Sequence, residues 1–164
     1  MASNALTPLH VFKFHVDFFT DSLSDGASHS QFQVCSGSFA ECTGLEATME
    51  PKTIREGGRN YGAAQRAGGI TFATVVLKRG ISLNQNLYQI FNKEAIGKFA
   101  PRMQVTINVY DINGLAVFAW QLDRAMPIKY KFADLNSRNG EIGIEELHLV
   151  HEGLWSVTPT TQQI

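Results

Sequence analysis

The chain has 164 residues, of which 44% are hydrophobic and 18% charged, with a net charge of −1. This suits one domain with a sizeable core, excludes a disordered chain, and argues against a basic nucleic-acid-binding face. The charge content is low for a lone protein, which predicts that part of the surface is covered by copies of the same chain.

No basic segment followed by an apolar run marks the start, and no stretch is long and apolar enough to span a bilayer. Neither a signal peptide nor a transmembrane helix is expected. Cys35 and Cys42 read as two small thiols of a reducing compartment, with a disulfide open to them if their strands fold back on each other.

In chain order, Phe12, Phe14, Val16 and Phe18 alternate with Lys13, His15 and Asp17, the pattern of a half-buried strand. Residues 20–30 are rich in Ser, Asp and Gly and read as a loop. Extended segments follow at 31–35 and 37–43, with a kink at Gly37. Residues 46–56 form a strand carrying Pro51, which points to an edge, a bulge or an irregular arm. Arg59 to Gly69 contains almost no hydrophobic residue, so residues 46–72 read as a strand running out into a long glycine-bearing loop that exists to touch something else.

Residues 72–78 return as a β-branched strand. Ser82 and Gln85 then have capping-box spacing, and Leu83, Leu87, Ile90 and Phe91 share one helical face, predicting a helix over 83–96 with Gly97 as its C-cap. Met103, Val105, Ile107 and Val109 alternate with Gln104, Thr106 and Asn108 in a further strand. Asn113-Gly114 signals a hairpin into a return strand with Phe118, Trp120 and Leu122 on one face. Pro127 precedes a short strand at 128–132. The last strand, 141–151, changes phase: Ile142 and Ile144 share one parity, Leu147 and Leu149 the other. A β-bulge near Glu145-Glu146 is the simple explanation. A polar tail over 155–164 ends the chain. Six to eight mostly antiparallel strands and one helix predict an all-β barrel or sandwich, a single domain over residues 1–164.

Catalytic and metal chemistry finds little support. His148 and His151, three apart on a strand, point to opposite faces and do not converge on a metal. Gly57-Gly58 and Gly68-Gly69 lack the spacing of phosphate-binding loops, and Ser36 and Ser38 around Gly37 do not form a hydrolase elbow. No cofactor is expected. Two rival functions keep a specific signature: a monomeric β-barrel binding a small apolar ligand, and a hydrolase using His151 and Glu152. Adjacent Arg55 and Glu56 read either as a solvated pair or as partners across subunits, and assembly into a ring would let edge strands pair between copies.

Several short segments, in order along nearly the whole chain, carry a family resemblance. They are FAECTGLE (39–46), IREGG (54–58), LKRGI (77–81), the 111–114 turn, Trp120, AMPIKY (125–130), Leu135-Asn136, IEEL (144–147) and HEGL (151–154). Together they resemble the inner tail-tube proteins of contractile injection machines: contractile phage tails, pyocin-like particles and extracellular injection systems. The resemblance implies an antiparallel β-barrel protomer with one helix, joined into homo-hexameric rings that share one continuous barrel. The rings stack inside a sheath, with tape-measure, baseplate and terminator proteins as further partners. The lumen passes DNA or protein cargo without sequence-specific binding, and no enzyme activity is implied. It also implies a place in a virion tail or injection particle assembled in the bacterial cytoplasm. Within it, the arm at 46–72 reaches other subunits. Arg55, Glu56, Arg59, Asn60 and Tyr61, with Gln65 and Arg66 as secondary positions, are the expected contacts, and Gln104, Thr106 and Asn108 the expected lumen residues. Residues 21–38 look like an insertion relative to shorter members.

Overall fold

The computed structural model describes residues 13–20, 33–81, 85–96, 102–135, 138, 140 and 142–159. The expected loop at 20–30 lies almost wholly outside these residues, as do Phe12, the Ser82 cap, Leu83, Gly97 and the end of the tail.

The strands are β1 (Phe14–Thr20), β2 (Gln33–Ser38), β3 (Glu41–Thr43), β4 (Ala47–Met49), β5 (Lys52–Ile54), β6 (Ala64–Arg66), β7 (Ile70–Phe72), β8 (Val75–Gly80), β9 (Met103–Tyr110), β10 (Ala116–Lys131), β11 (Ile144–Val150) and β12 (Gly153–Val157). A helix, α1 (Asn86–Ile96), lies between β8 and β9. The main sheet runs β2-β1-β9-β10-β11-β8-β3, with β12 also paired to β10, and its pairings are antiparallel. β2 and β3 lie at opposite ends of that order, yet only Phe39 and Ala40 join them. Such a link spans on the order of 10 Å, so the sheet must curl until its two ends face each other. Phe39 sits in this seam, its ring 6.4 Å from that of Phe18 and its backbone neighbour Ala40 donating to the Lys78 carbonyl at 2.8 Å.

The curl encloses one apolar core. Val16 and Phe18 of β1, Val75 and Leu77 of β8, Val105 and Ile107 of β9, Leu122 of β10, and Leu147 and Leu149 of β11 are buried in it. On β1 and β9 these are the alternating positions the sequence marked. Leu87 and Ile90 close one side from α1, and Phe91 packs beside them. The helix starts three residues later than expected. The Gln85 carbonyl already accepts the Gln89 amide at 3.0 Å, so Gln85 stands at the helix entrance rather than inside it.

Three further expectations need correction. The return strand and the 128–132 strand are one 16-residue strand, β10, which Pro127 does not interrupt. Pro127 sits beside an irregularity in the β10–β11 register, between Pro127 and Lys129, where a missing N–H costs no regular ladder bond. The long strand turns a corner at Arg124, whose φ of 49° is in the left-handed region. Before the corner β10 pairs with β9 and β12; after it β10 pairs with β11 and keeps β9 only at Ala125, the β9 register shifting between Leu122 and Ala125. The corner is pinned by Arg124 Nε donating to Glu152 Oε2 at 2.8 Å and by the Glu152 amide donating to the Asp123 carbonyl at 3.0 Å.

The last strand has no bulge at Glu145-Glu146: its register with β8 is continuous from Ile144 to Leu149. Its phase is explained by Glu145, which points inward and is buried between Arg79 and the Tyr130 hydroxyl, leaving Ile142 and Ile144 exposed. Beyond the turn at His151-Glu152 the chain pairs again, as β12, so the expected polar tail is strand through Val157.

The Asn113-Gly114 hairpin is present. Gly114, with φ 81°, takes the left-handed position, and Asp111 Oδ1 accepts the amides of Asn113 and Leu115 at 2.8 and 2.9 Å.

Candidate assembly interface

Residues 46–72 leave the sheet as a ribbon rather than a loop. β4 pairs with β7 (Ala47↔Phe72, Thr48↔Thr71, Met49↔Ile70), and β5 with β6 (Lys52↔Arg66, Thr53↔Gln65, Ile54↔Ala64). Glu50 and Pro51 separate the two ladders on the outgoing side, and residues 67–69 separate them on the return. The irregular tip is confined to residues 55–63.

Two glycines make the ribbon possible. At its root, Gly44 has φ 84°, and a Cβ there would lie 2.9 Å from the Thr74 carbonyl carbon and collide with its oxygen. At the break between ladders, a Cβ on Gly68 would lie 3.1 Å from the Glu50 carbonyl carbon, where Glu50 N donates to the Gly69 carbonyl at 3.3 Å. Only a residue without a side chain lets the two strands approach so closely.

The ribbon is exposed nearly throughout, including Met49, Ile54 and Ile70, and Tyr61 at the tip is 94% exposed. Two-stranded ribbons bury too little to be stable by themselves. Among the described residues this one is anchored at its root, where Phe72 packs on His151 with ring centroids 5.1 Å apart.

The expected contact residues divide into groups. Arg55, Glu56 and Arg59 meet around a shallow notch of about 290 Å³ that Gly62 and Ala63 complete. Glu56 pairs with Arg59 at 3.3 Å rather than with adjacent Arg55. Asn60 and Tyr61 follow on the exposed tip. Gln65 accepts Thr53 Oγ1 at 3.2 Å, and Arg66 stands across from Lys52. Sequence reasoning did not single out Lys52, although its register opposite Arg66 makes it part of the same surface. No spacing rule could show this, because the pairing follows from the length of the tip.

Of the residues expected to face a channel, Gln104 and Thr106 are half-buried on the face of β9 opposite the core. Asn108 departs from that expectation. It is 3% exposed, and its Nδ2 donates to the buried Asp17 Oδ2 at 3.2 Å, so its amide already has a partner inside the protomer.

The histidines near the C-terminus are placed separately. His148 lies 3.4 Å from Glu146, while His151 Nδ1 lies 2.9 Å from the Gly153 carbonyl and its buried Nε2 makes no hydrogen bond among the described residues. Glu152 turns to Arg124 and Arg102. Burial lowers the His151 pKa below its ordinary 6.5, against the opposing pull of the Gly153 and Ala73 carbonyls and of Asp123. The unfolded chain therefore binds this proton more readily, so the His151 contribution to stability is full above pH 6.5 and is lost as the pH falls through the depressed folded value. Urea midpoints measured between pH 7 and pH 5 should fall less steeply in His151→Gln than in the parent. Equal slopes would show that the ring does not titrate with folding.

Burial also raises the Cys42 thiol to about 11, leaving it protonated and unreactive at neutral pH. A cleft of about 340 Å³ on the flank is lined by Ile81, Gln85, Tyr88, Tyr130, Phe132 and Glu145. Among the described residues no helix is long and apolar enough to cross a membrane.

A curled antiparallel sheet with one flanking helix is the fold of injection-machine tube proteins. A chain from the six-fold symmetrised cryo-EM structure of the anti-feeding prophage baseplate superimposes with a TM-score of 0.77 at 24% identity, covering 92% of this chain and 96% of that one. A chain of the sheath–tube complex of the PVC extracellular contractile injection system, in its extended state, gives 0.72 at 14% identity, covering 97% and 100%. A crystal structure of an Hcp protein gives 0.50 at 10% identity, covering 88% and 98%. Comparison with curated proteins returns no significant match. Residues 10–155 match the family described as T4-like virus tail tube protein gp19. The chain belongs to that family and is a tail-tube protein, a structural component of a phage-like particle.

Proposed function

We propose that this chain is the repeating subunit of a hollow tube. Six copies form a ring, rings stack inside a sheath, and the lumen conducts DNA or protein cargo, with tape-measure, baseplate and terminator proteins completing the particle in the bacterial cytoplasm. The observation that carries this reading is the exposed ribbon at 46–72, too thin to bury a core of its own and shaped by two glycines, Gly44 at its root and Gly68 at its mid-length break, that accept no side chain. On a neighbouring subunit it would gain the contacts it lacks within the protomer. Arg55, Glu56, Arg59, Asn60 and Tyr61 at its tip are the contact residues, with Gln65 and Arg66 beside them. Gln104 and Thr106 keep access to a channel, where uncharged polar side chains let cargo slide without sticking.

The role is structural and non-catalytic. His151 and Glu152, the pair a hydrolase would need, are turned to different partners.

Light scattering and negative-stain microscopy of the purified chain test this reading. Rings or hollow polymers are expected. A persistent 18.1 kDa species would instead favour a monomeric ligand-binding barrel. Charge reversal at Arg55 or Glu56 should reduce polymer while leaving the protomer folded, and unimpaired tubes in both variants would remove the tip from the interface.

A further inference from the structure

The ribbon is electrically divided along its length. Its outer part, residues 52–66, holds Lys52, Arg55, Arg59 and Arg66 against Glu56 alone, a net charge of +3; since the whole chain carries −1, the remainder carries −4. The segment leading into it, residues 41–50, holds Glu41, Glu46 and Glu50 and no Lys or Arg. Glu41 is matched by Lys78 at 3.0 Å. Glu46 and Glu50 are exposed, and among the described residues neither forms an ion pair.

At the start of the outer ladder, Lys52 and Arg66 stand directly opposite each other, both exposed and also without an ion pair among the described residues. Like charges facing each other across two strands oppose the pairing that holds them. The arrangement is favourable only when an anionic surface is added from outside. The same chain supplies one, at the inner half of the ribbon.

We propose that the arm docks on the arm of a second copy, staggered so that Lys52 and Arg66 of one meet Glu46 and Glu50 of the next. This rests on the reading of the arm as an assembly interface and names its partner. With the two arms side by side in the same direction, the stagger makes the contact heterologous: each copy offers its basic half forward and its acidic half backward, so the contact propagates from copy to copy.

The test compares four proteins for sedimentable polymer and negative-stain tubes at low salt: the parent, Lys52→Glu with Arg66→Glu, Glu46→Lys with Glu50→Lys, and all four changes together. Each double variant sets like charges against each other between copies, and polymer should fall more than about tenfold. The quadruple variant restores opposite charges and should recover most of the polymer. Unchanged thermal midpoints would show that the protomers remain folded. A quadruple variant no better than the two double variants would overturn the arm-to-arm pairing and leave the cations for another anion, a nucleic acid among them. Full assembly of both doubles would also overturn it. If the tip reversals at Arg55 and Glu56 then still impair tubes, the arm survives as an interface; if they do not, that reading fails too.

Discussion

Gly44→Ala should destabilise the protomer by about 2–5 kcal/mol and eliminate tubes under conditions where the parent assembles. Two costs combine at this position. The left-handed backbone, φ 84°, disfavours any residue with a Cβ by about 1–2 kcal/mol. The added methyl would also be driven into the Thr74 carbonyl, with Val75 Cα 3.1 Å away, and relief requires moving backbone at the start of β8 at about 1–3 kcal/mol more. Against a total stability of about 5–15 kcal/mol this is a large fraction. Gly58 and Gly62 supply the control. Both have positive φ, 85° and 71°, but a Cβ on either meets nothing within 4 Å. Alanine there should cost only the backbone term, about 1–2 kcal/mol. Denaturant midpoints of the three variants check this directly. Equal effects at all three would mean that the Thr74 contact does not hold the root of the arm.

The contrast between these glycines marks the limit of what the sequence discloses. That the stretch around 46–72 is an arm could be read from its composition: few apolar residues, several glycines, and Pro51 where a central strand would exclude it. Which glycine is indispensable could not, because Gly44 is constrained by the carbonyl of a residue thirty positions later. Likewise the alternation in β1 and β9 and the 3.6-residue face of α1 were legible, since each pattern is local. The return of the arm as β6 and β7 was not: Ala64–Arg66 has no strand signature of its own and pairs because the tip brings it opposite β5.

Long-range compensation hid the rest. Pro127 marks a strand boundary when the sequence is read locally, yet β10 passes through it because the β11 register is irregular at that point. Nothing near Arg124 predicts a left-handed residue; the corner is held by Glu152, far along the chain. Asn108 looked like a surface residue by alternation and is covered, its amide turned to Asp17 of a strand ninety residues earlier. In each case a polar or conformationally restricted residue departs from its local preference because a distant partner compensates.

Glu145 is the strongest such case and leads to the second large effect: Glu145→Ala or Arg79→Ala should each cost about 3–5 kcal/mol. Both side chains are nearly buried, at 7% and 11% exposure, on β11 and β8, where Glu145 and Arg79 are direct cross-strand partners. Removing either leaves the other charge nearly buried with little water to solvate it. In the Glu145 variant the Tyr130 hydroxyl also loses its acceptor. Replacing both ends, Arg79→Met with Glu145→Leu, removes the stranded charge along with the pair. The double variant should therefore be far more stable than the sum of the singles implies, within about 1–2 kcal/mol of the parent or above it. Denaturant unfolding with an unchanged slope would report this cycle cleanly. Additive losses would mean that the two charges are not energetically coupled, and a double variant well below the parent yet short of the sum would mean that the pair is a net source of stability. Rescue by the double variant would mean that its value lies in specificity. With Glu145 inward, Ile142 and Ile144 must face out; with an apolar residue there, a strand slipped by one residue could bury Ile144 instead. The ion pair would then serve to fix the register of β11 on β8.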